Sequence, residues 1–463
     1  MTCILDAHSI CAYEAAINVY TLSMSAPFDV VIIGAGISGL AAGRVLAGAG
    51  RRVAIVEARD RVGGRIRTHH AAPDTPVELG AEFIHGLPPS LWALVREARL
   101  ATYELGGSEL MVESGRRSSR GDQPNHAHRV LSDMMEWLGR SPEGTDMSFD
   151  EYLVSARAAP DAADAAGKYV EGFNAADRHR IGIAALAKQQ RAEDAIEADR
   201  LFRVTAGYDA VPDFLASEFA RAGGTLLLQT PVHRIDWSPG SVSVGTRTPH
   251  GSETRICARR ALVTVPLGVL QTGSIQFEPL PAEILTQANR LAMGSALRAI
   301  LVFDAKLWAE NLSFLFAPSE MPPTWWTPMP NNAPVITGWV GGPKAAAFGR
   351  SADGSLGPET AAGRSAVLDA CLTTLGMVFE RPRSEFERGL VSWHLHDWLG
   401  DPYARGAYSY VPAGALDAPG RMNRPLDDTL YFAGEHTDIT GHWGTVHAAL
   451  QSGTSAAERL LGS

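Results

Sequence analysis

The sequence predicts an α/β protein in which a Rossmann-like, dinucleotide-binding domain is interleaved with an α+β substrate domain of sheet plus helices. Three observations carry this prediction. Residues 29–33, DVVII, form a short apolar run that suits a strand buried on both faces of a parallel sheet. Gly34-Ala35-Gly36-Ile37-Ser38-Gly39 follows at once with G-x-G-x-x-G spacing; a helix over residues 38–49, a strand over 52–56 and a terminal Glu57 complete the order of a nucleotide-binding unit. At 463 residues the chain is too long for one ordinary core, and segments of helical and strand periodicity remain for a second.

Each part of the opening unit has a physical reason. Gly34 permits the tight turn, Gly36 lets a pyrophosphate approach the backbone, and Gly39 allows close helix–strand packing. The helix that begins near Ser38 aims its N-terminal amides, the positive end of its dipole, at the phosphates. Glu57 closes the second strand, where a carboxylate can accept both ribose hydroxyls.

Residues 87–202 are expected to be mainly helical, because residues 91–100 and 130–138 space their apolar side chains by three to four. Residues 158–166 read as a loop and a helix start. The acidic group Glu193, Asp194, Glu197 and Asp199 reads as a solvated helix face in preference to a surface that steers cations. From Arg203 the chain is expected to return to the nucleotide domain, with a helix over 211–220 and strands over 225–228 and 231–235 around a proline turn. Residues 275–281 cross back, and 298–303 and 335–340 read as strands of the second sheet. The expected division is therefore an extension over 1–26, nucleotide-domain parts over 27–86, 203–280 and 393–463, and substrate-domain parts over 87–202 and 281–392. Residues 1–23 lack a basic, apolar leader pattern and are expected to be dispensable.

Composition narrows the function classes. A net charge of −10 argues against a nucleic-acid surface and is compatible with cationic substrates. Cys3, Cys11, Cys257 and Cys371 lie far apart without a C-x-x-C pair, which fits a reduced, cytoplasmic protein, and no apolar run reaches the length of a membrane span. No Cys/His spacing suggests a metal, and no G-x-S-x-G elbow suggests a serine hydrolase.

The run Glu57-Ala58-Arg59-Asp60-Arg61-Val62-Gly63-Gly64-Arg65 adds a glycine pair and an arginine for which a nicotinamide dehydrogenase has no general need. Further on come Glu78-Leu79-Gly80-Ala81-Glu82-Phe83-Ile84-His85-Gly86, then residues 262–270 (LVTVPLGVL), then Tyr431-Phe432-Ala433-Gly434-Glu435-His436-Thr437 with Thr445-Val446-His447. These four motifs, in this order, resemble the flavin amine oxidase superfamily, which includes monoamine oxidases, polyamine oxidases, L-amino-acid oxidases and histone lysine demethylases. The resemblance covers nearly the whole chain from residue 27. It implies FAD, wrapped by Arg59, Gly64 and Arg65, bordered by Gly80, Ala81 and Glu82, and reached at its adenine by the backbone of Val232. Trp398 matches a flavin-packing tryptophan. Gly434 and Glu435 match the segment beside the pyrophosphate or ribityl chain, and Thr445 and Val446 complete the FAD-binding set. Ala407 stands where monoamine oxidases carry the cysteine that attaches their flavin, so FAD is expected to bind non-covalently.

The same resemblance assigns the catalytic candidates. Tyr408 matches the tyrosine beside the flavin, and Thr445 stands where monoamine oxidases place a second one, a pattern similar to demethylases and some polyamine oxidases. His85, in a segment similar to that of spermine-type oxidases, is a candidate to bond an incoming ammonium or shuttle a proton near neutral pH; a structural loop histidine is the alternative. Glu82 is a candidate for a cationic substrate. Arg298 aligns with an active-site lysine of relatives; it either keeps a positive charge beside the flavin for reoxidation by oxygen or pairs with a substrate carboxylate. Trp325, Trp326 and Trp339 read as core before tunnel, and Trp443 as core or aromatic wall. The implied activity is FAD-dependent oxidation of a primary or secondary amine to an imine, with O2 reduced to H2O2. An L-amino-acid oxidase and a flavin-binding scaffold with weak turnover are the alternatives.

Overall fold

The structure is a computed structural model that describes residues 27–72, 75–113, 115–119, 126–247, 251–351 and 357–462. The expectations for residues 1–26, including Cys3 and Cys11, lie outside the described residues.

The fold is α/β, built on two large sheets. In the first, Thr225–Leu227, Val53–Val56, Phe28–Ile33, Glu253–Val263 and Leu430–Phe432 run parallel in that spatial order. The first half of Glu253–Val263 also pairs with Ser241–Arg247, which continues antiparallel to Val232–Ser238. Phe28–Ile33 is buried on both faces, as its unbroken apolar run requires. Val30 and Ile32 pack under the helices Ile37–Gly48, Ala210–Arg221 and Val446–Gly462, whereas Val31 and Ile33 face a second cluster with Val244, Ile256 and Phe432. Gly39, Gly43 and Gly453 let these elements approach. A Cβ on Gly453 would stand 2.0 Å from the Ser38 carbonyl oxygen, and one on Gly43 would stand 2.6 Å from Ile55 Cδ1.

The second sheet runs Leu390–Leu395, Ala296–Phe303, Val335–Gly341, Thr324–Trp326, Leu312–Phe316, Ser108–Glu113 and Arg116–Ser119. One face packs on the helix Ala361–Phe379 through Leu297, Ala299, Leu301 and Phe303. Period-two alternation turns Ala296 and Arg298 to the other face, which fronts the large cavity of the molecule. Four helices, His126–Arg140, Phe149–Ser155, Pro160–Asn174 and Ile183–Asp194, form a separate apolar cluster beside it.

Within the mainly helical stretch 87–202, Ser108–Glu113 and Arg116–Ser119 are strands that extend the second sheet. Residues 158–166 are the expected loop and helix start, with Pro160 at the first turn of Pro160–Asn174, where its missing N–H leaves no bond unmade. Leu390–Leu395 pairs with Ala296–Phe303, so we propose that the last crossing between domains follows residue 395 and not 392.

Candidate active site

The four motifs, far apart in sequence, meet around one cavity of about 1920 Å³. The first turn is locked by Thr264, whose hydroxyl donates to the carbonyls of Ile33 at 2.9 Å and Gly34 at 3.1 Å. Gly34 has φ +108°, a left-handed conformation that favours glycine. A Cβ on Gly39 would lie 2.0 Å from the Gly34 carbonyl oxygen, which is backbone and cannot move aside. A Cβ on Gly36, by contrast, would meet no atom within 4 Å. The second glycine pair closes against the first: Gly63 N–H donates to Ala35 O at 2.8 Å, and Gly64 has φ +58°. Arg61 holds this loop by donating to the carbonyls of Val62, Gly64 and Ile66. Gly80 lies against the Arg65 backbone, where a Cβ would come within 2.0 Å of its carbonyl oxygen.

These residues suit a dinucleotide. Ser38 Oγ is buried at the N-terminal end of the helix Ile37–Gly48, lines the cavity and has no hydrogen-bond partner, as expected of a donor awaiting a phosphate oxygen. The Glu57 carboxylate, 6% exposed, accepts from Ala35 N–H at 2.8 Å and Arg59 N–H at 2.9 Å and still borders the cavity. Arg59 pairs with Asp401 at 2.8 Å. Arg65 donates to Ala407 O at 2.9 Å and pairs with Glu435 at 2.8 Å. Glu435 also accepts from Ser409 Oγ at 2.5 Å and Gly444 N–H at 3.0 Å. Burial opposes its ionisation, but Arg65, His436 and the Ser409 bond outweigh burial and hold the carboxyl below its ordinary value. Glu435 is thus the clasp between the last motif and the second glycine loop. Trp398 Nε1–H donates to Leu79 O at 2.8 Å. Gly80, Ala81, Val232, Gly434 and Val446 line the same cavity, whereas Gly39 acts from behind it through packing.

Beyond these glycine loops the lining becomes aromatic. Tyr408, Trp326, Trp339, Phe173 and Phe83 all border the cavity. The Tyr408 hydroxyl donates to Phe173 O at 2.7 Å, and burial pushes its pKa well above the ordinary value. Trp325 is core, fully enclosed, but Trp326 and Trp339 face the cavity, against the expectation that all three are core. Trp443 does both, packing in a core cluster while lining the cavity. Thr445 caps the helix Val446–Gly462: its hydroxyl donates to His442 O at 2.7 Å and accepts from Ala448 N–H at 3.2 Å. His85 lines the cavity, but burial pushes its pKa down to about 4, below the range that a proton shuttle near pH 7 needs.

The expectations for Glu82 and Arg298 change most. Glu82 is not free for a cationic substrate, because Arg298 Nη1 at 2.9 Å, Arg203 Nη2 and Trp326 Nε1 at 3.1 Å all bond its carboxylate. Arg298 also donates to Glu78 O at 2.8 Å and stacks near Trp326 and Trp339, 5.4 and 5.5 Å from their ring centres. Burial lowers its pKa while Glu82 opposes that shift. Sequence reasoning missed Arg203 and Glu78. The signal for Arg203 is a lone charge in LFRV, where it shares one strand face with Leu201. The Glu78 carboxyl accepts from Tyr208 N–H at 2.7 Å and Thr68 Oγ at 2.7 Å, and burial pushes its pKa up to about 7.

Glu193, Asp194, Glu197 and Asp199 border the cavity, as do Asp161 and Glu171; Asp194, Glu197 and Asp199 are also solvent-exposed, as the expected solvated face requires, and Glu193 is half-buried. Burial pushes Glu193 up to about 7. Cys257 and Cys371 are free, and neither borders the cavity. Among the described residues no group of His, Cys, Asp and Glu could hold a metal, and no helix is long and apolar enough to cross a membrane.

Comparison with known proteins gives a consistent likeness. A family model described as flavin-containing amine oxidoreductase matches residues 37–461. The chain is 26% identical to human lysine-specific histone demethylase 2 over 460 residues, covering 93% of this chain but 53% of that protein, so it spans about half of that relative's length. It is 25% identical to probable polyamine oxidase 4 of Arabidopsis thaliana, covering 93% and 86% of the two chains. It is 26% identical to human flavin-containing amine oxidase B, covering 95% and 87%. Among solved structures, putrescine oxidase bound to putrescine superposes with a TM-score of 0.79 at 21% identity, over 95% of this chain and 100% of that one. Cyclohexylamine oxidase from Brevibacterium oxydans IH-35A gives 0.77 at 22% identity, over 94% and 100%.

Proposed function

The chain belongs to the family of flavin-containing amine oxidoreductases, and from that premise we propose that it binds FAD non-covalently and oxidises a primary or secondary amine, polyamine-like or monoamine. The product is an imine that hydrolyses to a carbonyl, with O2 reduced to H2O2. The observation that carries this reading is one continuous cavity. It joins a nucleotide cradle with an unpartnered Ser38 hydroxyl to an aromatic slot of Tyr408, Trp326 and Trp339.

In this reading Ser38 and the helix N-terminus hold the phosphates, Glu57 the ribose, and Val232 borders the adenine. Gly80, Ala81, Trp398, Gly434 and Val446 line the rest of the cradle. A bound flavin would supply the two-electron oxidising chemistry at the carbon beside nitrogen. The chain's own residues bind and orient the amine. The aromatic walls exclude water and favour the neutral amine that oxidation requires. His85, kept neutral by burial, bonds an amine without repelling a cation. Tyr408 supplies a wall held in place by its bond to Phe173. Acids such as Asp161, Asp194 and Glu197 bias the cavity towards cationic substrates before deprotonation. Arg298 keeps a positive charge near the reacting centre, which favours reduction of oxygen. The free thiols Cys257 and Cys371 are in keeping with a cytoplasmic location. Ala407 borders the cavity and, at the position that the resemblance matches to a flavin-linked cysteine, carries no sulfur, which supports non-covalent binding.

Purified yellow protein screened against polyamines, monoamines and α-amino acids with peroxide detection tests the proposal. Peroxide release with one or more amines is expected. Release with none of them, or only with α-amino acids, contradicts it.

A further inference from the structure

Glu82, Arg298 and Arg203 form a buried ion cluster on the cavity wall for which oxidation of a simple amine has no evident need. The Glu82 side chain is 1% exposed and the Arg298 side chain 8%. Both Glu82 oxygens are bonded: Arg298 Nη1 donates to one at 2.9 Å, Arg203 Nη2 to the other, and Trp326 Nε1 lies 3.1 Å from each. A guanidinium on the wall of an amine cavity is otherwise well suited to hold a carboxylate, through its charge and its planar fork.

We propose that Glu82 is a specificity-determining residue: as the built-in counter-ion of Arg298, it closes the site to amines that also carry a carboxylate. The proposal rests on the amine-oxidising reading and narrows its substrate class to amines without an acidic group. A second carboxylate on Arg298 would stand within a few ångströms of Glu82, in a site too enclosed for water to screen the repulsion. It would also compete for a guanidinium whose Nη1 already serves Glu82 and the Glu78 carbonyl. Trp326 and Trp339 lie against the same group and restrict the approach. Three other cations along the cavity are engaged as well: Arg59 pairs with Asp401, Arg65 with Glu435 and Lys168 with Asp164, each at 2.8 Å.

The test compares flavin-loaded wild type with Glu82→Gln, an isostere that removes the charge and keeps an acceptor for Trp326. Benzoate binding is measured by calorimetry, and kcat/KM is measured for phenylalanine against phenethylamine, which differ only in the carboxylate. Glu82→Gln should tighten benzoate binding and raise the phenylalanine-to-phenethylamine ratio by about 10- to 100-fold, the range of one charged hydrogen bond. Because Glu82→Gln leaves two guanidinium groups facing a neutral partner, Glu82→Gln/Arg203→Met, with the excess charge removed, is measured in parallel. The gain should vanish in Glu82→Gln/Arg298→Met. Unchanged benzoate affinity in the folded variants, or a gain that survives loss of Arg298, overturns the proposal. Failure of the wild type to oxidise phenethylamine or any other amine would count against the amine reading, while benzoate affinity would still decide the role of Glu82.

Discussion

Glu78 shows how one buried carboxyl sets a pH dependence. Burial raises its folded pKa from 4.5 to about 7, against the bonds from Thr68 and Tyr208. Between these values the folded chain holds a proton that the unfolded chain has released, so this group lowers stability as pH rises towards 7 and adds no further change above it. Glu78→Gln should therefore stabilise the protein more at pH 8 than at pH 5, by on the order of 2 kcal/mol. Urea melts at the two pH values measure it; an equal effect at both would mean that Glu78 is ionised throughout. Glu57 matters through its bonds, since its carboxylate holds two loop amides and also faces the cavity. Glu57→Ala should weaken FAD binding by about 10- to 100-fold and lower the melting temperature of the apoprotein. Flavin fluorescence titration and thermal melts check the two halves separately. The place of Glu57 on the cavity was legible because it sits at the end of a strand that follows a glycine loop. Arg203 was not, because its partner Glu82 is 121 residues away and nothing local announces the pair.

At the scale of elements, the glycine loops separate packing from ligand space. Gly36 and Gly39 sit three residues apart, yet a Cβ on the first meets nothing and one on the second meets backbone at 2.0 Å. Gly36→Ala should leave apoprotein stability nearly unchanged and lose flavin affinity, because the added methyl projects into open cavity space that we propose the pyrophosphate fills. Gly39→Ala should lose both. Melting of the apoprotein together with flavin titration distinguishes the two; equal destabilisation would show that Gly36 serves packing alone. The first nucleotide unit was readable because its apolar run, glycines and acid all agree. Trp325 and Trp326 illustrate a signal present but unused: on a strand, neighbours face opposite ways, so the two buried rings belong to different surroundings, Trp325 to the core cluster and Trp326 to the cavity wall. Ser108–Glu113 went unread because its alternation, with Glu109, Met111 and Glu113 towards the cavity, is short and lies among helical segments.

At the scale of the molecule, the chain passes repeatedly between two sheets, and the cavity exists because it does. The nucleotide cradle comes from the first sheet and its loops, while Arg298, Trp326 and Trp339 come from the second. The motif order implied this meeting, but which side chains would satisfy one another depends on contacts across hundreds of residues. The acidic rim shows the same limit, since a run of carboxylates reads correctly as a solvated face but cannot reveal that the same residues also border a cavity. The central claim is that this cavity brings an amine against a bound flavin. Anaerobic titration of the yellow protein with amines, followed by the visible absorbance of the flavin, tests it most directly. The account predicts bleaching by an amine without an acidic group and recovery of the colour when air is admitted. Bound flavin that stays fully oxidised with every polyamine and monoamine tried would contradict it.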